Sequence, residues 1–134
     1  MATALPYYGR ARRKRQVIRK LCDAHQLPRE GELKAFLGSN AAGPVALCVG
    51  VVEGVAYAID NVCPHARAPL AGGHLSGENV VCPLHGWQWS LVSGQPAHPG
   101  DPAIRTYEIR QYGLEVFVQL PTTLPPPQNR TVGA

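Results

Sequence analysis

Short apolar runs rich in β-branched residues, each followed by turn-forming residues, extend through most of the chain. Runs of this kind, bounded by glycine, proline or asparagine, are typical of β-strands. The clearest pair covers residues 45–52 and 55–59, and the intervening Glu53-Gly54 predicts a tight hairpin. Further strands are predicted at residues 16–22, 32–37, 74–76, 78–81, 89–92, 104–110 and 114–120, with turns at residues 38–44 and 111–113.

The composition agrees with many short strands joined by turns. The 134 residues include 14 glycines and 13 prolines, which disfavour long helices. A hydrophobic content of 45% with 16% charged residues is that of one globular domain with a modest core. We therefore predict an all-β fold, a sandwich of roughly nine short antiparallel strands with a loop-built subdomain at one end.

No apolar run reaches the roughly 18 residues of a membrane span. The first residues also lack the apolar region of a secretory signal. We therefore expect a soluble, cytoplasmic protein.

The basic residues are concentrated at the beginning of the chain. Residues 1–20 hold seven lysines and arginines and no acidic residue, whereas the remaining residues hold six basic and nine acidic ones. We predict three parts: a basic mobile arm at 1–15, a folded domain at 16–120 and a proline-rich disordered tail at 121–134. The arm could dock on an anionic partner or act as a transit peptide, but a solvated arm without a specific role is favoured. Nucleic acid is not an expected partner.

Two cysteine–histidine pairs are the candidate functional residues. Cys63-Pro-His65 and Cys82-Pro-Leu-His85 have sixteen residues between them, in a stretch dense in glycine and proline. Two thiolates and two imidazoles could form a tetrahedral zinc site. The same four donors could instead be shared between two irons, as in a [2Fe–2S] centre where histidines replace two cysteines on one iron.

The order of the donors favours the iron–sulfur interpretation. A zinc finger of the common kind has its two cysteines first and its two histidines later on a helix. Here each pair mixes the two types, and Pro64 and Pro83 lie inside the pairs, so both pairs belong on loops. Two facing loops, each with one cysteine and one histidine, could place both sulfurs on one iron and both nitrogens on the other.

Residues 63–73 (Cys-Pro-His-Ala-Arg-Ala-Pro-Leu-Ala-Gly-Gly, the first box) and residues 80–89 (Val-Val-Cys-Pro-Leu-His-Gly-Trp-Gln-Trp, the second box) resemble the two cluster-binding boxes of the Rieske family. The resemblance extends from about Gln16 to Leu120, and it is strongest to Rieske-type ferredoxins and to the small subunits of nitrite reductases. It implies one Rieske-type [2Fe–2S] cluster per chain, with Cys63, His65, Cys82 and His85 as its ligands.

The resemblance also implies a function. We expect a single-electron carrier with no catalytic activity of its own, which passes electrons from a ferredoxin reductase to a terminal oxygenase. The alternatives are a small subunit that binds the large subunit of a nitrite-reductase-like enzyme, and a zinc-stabilised interaction module. An oxygenase's own mononuclear iron would need two histidines and a carboxylate on a further domain, and we see no nucleophile–base set or phosphate-binding loop.

Three features outside the ligands complete the prediction. High-potential members of the family have hydroxyl side chains two and four residues beyond the second histidine, where this chain has Trp87 and Trp89. We therefore expect a low potential, nearer about −150 mV than about +300 mV. Cys22 and Cys48 lie in apolar runs and are expected to be small buried residues rather than a disulfide. An apolar rim for partner contact is predicted at Ala66, Ala68, Pro69, Leu70, Leu84, Gly86 and the proline-rich loop, with Arg67 as its one charge.

Overall fold

The computed structural model describes residues 16–122 as an all-β domain. The arm predicted at residues 1–15 and nearly all of the tail predicted at residues 121–134 lie outside the described residues, whereas Pro121 ends the last strand. The part of the chain described contains ten strands: β1 (Gln16–Asp23), β2 (Leu33–Asn40), β3 (Gly43–Val52), β4 (Val55–Asp60), β5 (His74–Ser76), β6 (Asn79–Val81), β7 (Gln88–Ser90), β8 (Thr106–Tyr107), β9 (Ile109–Tyr112) and β10 (Glu115–Pro121). Two single 3₁₀ turns at Ala24–Gln26 and Leu70–Gly72 are its only helical segments, and neither is long enough to cross a membrane.

Three antiparallel sheets make up the domain. Their strand orders are β1-β10-β9, β2-β3-β4-β8 and β5-β6-β7. The first two sheets form the predicted sandwich, and the small third sheet carries the second box. The prediction of an all-β sandwich of antiparallel strands is therefore confirmed.

Strand β3 has its apolar side chains buried on both faces, which explains its continuous apolar sequence. Because side chains alternate along a strand, Leu47 and Val49 point into one core cluster and Cys48 into the other. The first cluster lies between the two larger sheets, with Val118 and Leu120 of β10. The second cluster lies under the two boxes, so the same strand supports the sandwich and the candidate site.

The hairpin between β3 and β4 confirms its sequence prediction. Glu53 and Gly54 both adopt left-handed backbone angles, with φ of 52° and 79°, as a two-residue hairpin turn requires. The carboxylate of Glu30 accepts hydrogen bonds from both of their amides, at 2.6 and 2.8 Å. This turn returns the chain so that β4 leads directly into the first box.

Several element boundaries differ from the sequence prediction, and Leu91 and Val92 of the strand predicted at residues 89–92 lie in a turn after β7. The turn at residues 38–44 is much shorter, because β2 continues to Asn40 and β3 begins at Gly43. The Asn40 side chain closes this turn by accepting the amide hydrogen of Ala42 and donating to the Pro121 carbonyl. The run predicted as one strand at residues 104–110 divides into β8 and β9, which pair in different sheets.

Cys22 and Cys48 are buried free thiols, as predicted. Burial raises the pKa of Cys48 to about 12, whereas the pKa of an exposed cysteine is about 8.5. The folded state therefore keeps this proton at pH values at which the unfolded chain releases it.

We expect the Cys48 thiol to lower stability in the alkaline range. The contribution of this thiol to the free energy of unfolding is fully present below about pH 8.5, the pKa of a cysteine in the unfolded chain. Above that pH the contribution declines, by at most about 1.4 kcal/mol per pH unit. Urea unfolding of wild type and Cys48→Ala at a series of pH values from about 8 to 10 would measure the difference. Parallel curves for the two proteins would contradict the prediction.

Candidate metal centre

The two boxes lie on loops at one end of the domain. The first box follows β4, and the second begins in β6 and ends in β7. Cys63 and Cys82 are 0% and 1% exposed, so both sulfurs are shielded from solvent. The neighbouring Cys82 contributes to the raised pKa of Cys63, so the two thiols lie close to one another.

The first loop is closed by the backbone of its cysteine. The Cys63 carbonyl accepts the amide hydrogen of Arg67 at 2.8 Å, and the Cys63 amide donates to the Ala68 carbonyl at 2.9 Å. Arg67 has a φ of 61°, an uncommon value for a residue with a side chain, which reverses the chain direction after His65.

The second loop repeats this arrangement at the same offsets from its cysteine. The Cys82 carbonyl accepts the amide hydrogen of Gly86 at 3.1 Å, and the Cys82 amide donates to the Trp87 carbonyl at 2.7 Å. Gly86 has a φ of 73° and occupies the position that Arg67 has in the first loop. The two boxes are therefore one loop geometry used twice, which the difference between C-x-H and C-x-x-H spacing obscures in the sequence.

A glycine allows the two boxes to approach closely. A Cβ atom on Gly73 would lie 1.8 Å from the carbonyl oxygen of Val81, an impossible contact. Gly73 ends the first box and Val81 directly precedes Cys82, so any side chain at this glycine would push the loops apart. The Asn61 side chain adds support by accepting the amide hydrogen of Ala71 at 2.7 Å.

Burial is the main cause that raises the pKa of Cys63, and the neighbouring Cys82 acts in the same direction. The backbone amides of Ala66 and His65 donate hydrogen bonds to Cys63 and oppose this increase. Amide donors of this kind also stabilise a metal-bound thiolate and tune its properties. The loop is thus suited to a sulfur ligand within an otherwise apolar core.

His65 is held from two sides. Its Nε2 atom lies 3.1 Å from Oδ1 of Asp101, and its ring stacks on Trp87 with centroids 4.2 Å apart and planes 17° apart. The His65 side chain is 24% exposed. Asp101 was not among the residues that the sequence indicated, because it lies 36 positions along the chain from His65 in a loop without secondary structure.

His85 lies at the surface. It lines a shallow hollow of about 380 Å³ together with Trp87 and His98, whose rings meet edge to face. His25, His74 and His98 are exposed as well.

The predicted apolar rim is smaller than expected. Ala68 and Leu70 are 7% and 0% exposed and belong to the core beneath the boxes, so they cannot contact a partner. Leu84 is 60% exposed, and Arg67 and Pro69 are exposed beside it. Sequence reasoning could not separate these groups, because all of them lie within the same two short loops.

The donors fit a binuclear cluster better than a single ion. Within residues 16–122, no three histidine, cysteine or carboxylate groups gather around one point as a mononuclear zinc site requires. In a Rieske-type cluster each iron takes only two protein ligands. The two neighbouring cysteines in the core meet that requirement for one iron, and the two histidines lie on the same loops nearer the surface.

Comparisons with known proteins agree with this chemistry. The family model of the Rieske [2Fe-2S] domain matches residues 18–108. The ferredoxin component of the naphthalene 1,2-dioxygenase system of Pseudomonas aeruginosa is 36% identical over 97 residues, which cover 72% of this chain and 88% of that protein. The 2,4-dinitrotoluene dioxygenase ferredoxin component of Burkholderia sp. (strain RASC) is 29% identical over 78% of this chain and 88% of its own.

Solved structures show the same similarity. The ferredoxin of Sphingomonas yanoikuyae B1 superposes with a TM-score of 0.66 at 29% identity, over 76% of this chain and 97% of that one. A chain in the complex of reduced oxygenase and oxidized ferredoxin in carbazole 1,9a-dioxygenase gives a TM-score of 0.63 at 30% identity. The match covers 74% of this chain and 98% of that one. The chain belongs to the Rieske [2Fe–2S] domain family, and its cofactor is a Rieske-type [2Fe–2S] cluster.

Proposed function

We propose that this protein is a Rieske-type ferredoxin, a single-electron carrier between a reductase and a terminal oxygenase. We further propose that Cys63 and Cys82 ligate one iron of the cluster and that His65 and His85 ligate the other. The observation that carries this proposal is the repeated loop geometry, which places two sulfurs together in the core and leaves the histidines towards the surface.

When bound, the cluster would accept and return one electron at a time. The exposure of His85 would bring the cluster close to the protein surface, where an electron can pass to a partner. Leu84, which is 60% exposed, lies next to it and offers a small apolar contact. A contact of this size suits a weak and short-lived complex, as electron carriers form.

The partners are proposed from the relatives. One structural relative is part of a complex of oxygenase and ferredoxin, and the sequence relatives are ferredoxin components of oxygenase systems. We infer an oxygenase as the acceptor and a ferredoxin reductase as the donor. We also infer a cytoplasmic location, since the two cysteines outside the proposed ligand set, Cys22 and Cys48, form no disulfide, as is usual in a reducing compartment.

A second candidate is the small subunit of a nitrite-reductase-like complex. A nitrite reductase small subunit of Mycobacterium tuberculosis gives a TM-score of 0.66, but at 19% identity this similarity supports the fold alone. Size-exclusion chromatography of the protein from its native cells would distinguish the two, because a permanent subunit would elute with a large partner and a carrier would elute alone.

The proposed function is tested by spectroscopy of the purified protein. We expect about two irons and two acid-labile sulfides per chain, and an EPR signal of a mixed-ligand [2Fe–2S] centre after reduction with dithionite. Potentiometry should give a low midpoint, because the indole N–H of Trp89 donates to the Pro102 carbonyl at 3.0 Å rather than to a cluster sulfur. A colourless protein with stoichiometric zinc would contradict the function, and a clearly positive midpoint would contradict the low potential.

A further inference from the structure

Asp101 contacts a candidate cluster ligand from a distant part of the chain. Its Oδ1 atom lies 3.1 Å from Nε2 of His65, and the two side chains are only 13% and 24% exposed. A carboxylate so placed accepts the ring N–H of the imidazole. In metalloproteins such a partner fixes the orientation of a histidine ligand and increases its electron donation.

The loop that carries Asp101 is fixed to the second box. The buried Trp89 donates its indole N–H to the carbonyl of Pro102, the next residue after Asp101, at 3.0 Å. The amide of Ala97 donates to the Gln88 carbonyl at 2.9 Å. These bonds hold the loop against β7 and so position the Asp101 carboxylate beside His65.

The imidazole of His65 is therefore constrained at its edge and at its face. Asp101 engages Nε2, and the ring of Trp87 stacks on the face at 4.2 Å. With Nε2 engaged in this hydrogen bond, Nδ1 is the nitrogen that can bind iron.

We propose that Asp101 is the positioning residue of His65: its carboxylate holds the imidazole through Nε2, directs Nδ1 to the cluster, and lowers the reduction potential through its negative charge. This inference rests on the proposed function, in particular on His65 as a ligand. It concerns a residue outside both boxes, in the proline-rich loop of residues 95–103.

The direction of the effect follows from electrostatics. A negative charge close to the cluster disfavours the arrival of an electron. Both side chains are largely buried, so little water lies between them and the cluster to screen this repulsion. The hydrogen bond acts in the same direction, because an imidazole that donates to a carboxylate gives more electron density to its iron. Removal of the charge should therefore raise the potential.

The test compares three full-length proteins with their clusters in place. Asp101→Asn keeps an acceptor oxygen and removes the charge, whereas Asp101→Glu keeps the charge and acts as the rescue variant. At constant near-neutral pH we expect Asp101→Asn to favour the reduced form at least fivefold over wild type, which corresponds to a positive shift of about 40 mV for one electron. Asp101→Glu should remain within about twofold of wild type, or about 20 mV.

A matched control separates this contact from a general change in net charge. Glu108→Gln also removes one carboxylate, but from an exposed ion pair with Arg110 at the connection between β8 and β9, outside both boxes. Its potential should equal that of wild type. An equal shift in Glu108→Gln and Asp101→Asn would overturn the proposal.

The two proposals can fail separately. If reduced wild type gives no EPR signal of a mixed-ligand cluster, the proposed function fails. Wild type could instead give that signal while the preference of Asp101→Asn for the reduced form stays within twofold of the wild-type preference. In that case only the role of Asp101 is overturned. If Asp101→Asn retains no cluster, the result from Asp101→Glu decides: a cluster at the wild-type potential supports the proposal, and a missing cluster overturns it.

Discussion

Cys82→Ala is expected to give a protein that assembles no [2Fe–2S] cluster, whereas Cys48→Ala should assemble the full amount. Both cysteines are buried, at 1% and 0% exposure, and both are free thiols. They differ in their surroundings. Cys82 lies beside Cys63 between the two loops, whereas Cys48 lies on β3 in the core beneath them.

The expected loss is complete because no other described side chain can replace the missing sulfur. The remaining cysteines of residues 16–122 lie on strands rather than on either loop, Cys22 on β1 and Cys48 on β3 beneath the boxes. Alanine at position 82 would leave one iron with a single protein ligand, and metal binding and local folding are coupled in such sites. Iron and acid-labile sulfide per chain, together with the visible spectrum, measure the outcome.

The Cys48→Ala control shows how much the free energy of unfolding falls when a buried sulfur is removed away from the ligand set. We expect a loss of about 1 kcal/mol in the free energy of unfolding, typical of a small core truncation, and an unchanged EPR spectrum. A Cys82→Ala protein with a normal cluster would contradict the proposed ligand set. So would a Cys48→Ala protein that folds but holds no cluster.

The strands and the two boxes could be predicted from sequence because each depends on neighbouring residues. The hairpin at Glu53-Gly54 follows from the conformational freedom of two turn residues, and the loops follow from spacings of two and three positions. Local patterns of this kind are read without knowledge of the partner strand.

Contacts between distant segments could not be predicted. The sequence predicted the proline-rich loop at the rim of the site, but no local pattern within that loop indicated that Asp101 contacts His65. The division of residues 104–110 into two strands has the same cause: β8 pairs with β4, and β9 pairs with β10. An apolar run predicts that a segment is extended, but the pairing partner is decided by the whole domain.

Asp60→Ala is expected to have the largest effect on stability, at about 3–5 kcal/mol in the free energy of unfolding. Asp60 is 4% exposed and lies at the end of β4, three positions before Cys63. Its Oδ2 accepts a hydrogen bond from Nε of Arg105 at 2.8 Å, and its Oδ1 accepts one from the hydroxyl of Tyr107. No pattern in the sequence indicated that these three side chains meet.

The cost arises from what the substitution leaves behind. Without the carboxylate, the buried hydroxyl of Tyr107 would lose an acceptor that it cannot recover from water, and the partly buried guanidinium of Arg105 would lose the bond from its Nε. Burial first, and the charge of Asp60 second, raise the pKa of Tyr107, so the phenol remains a donor to the carboxylate. Tyr107→Phe removes one of the two bonds and should cost less, at about 2 kcal/mol.

Asp60→Ala should also weaken binding of the iron–sulfur cluster. The side chains of Asp60, Arg105 and Tyr107 join the two segments of the chain that reach the site. Asp60 leads into the first box, and Arg105 follows the proline-rich loop; their backbones are also bonded, Asp60 N–H to Arg105 carbonyl at 3.0 Å. The visible absorbance of the iron–sulfur cluster should disappear at a lower urea concentration in Asp60→Ala than in wild type. Asp23→Ala is the matched control, because Asp23 is paired with Lys20 at the exposed surface and should change neither transition appreciably. Equal midpoints for Asp60→Ala and Asp23→Ala would show that the buried carboxylate does not hold these segments together.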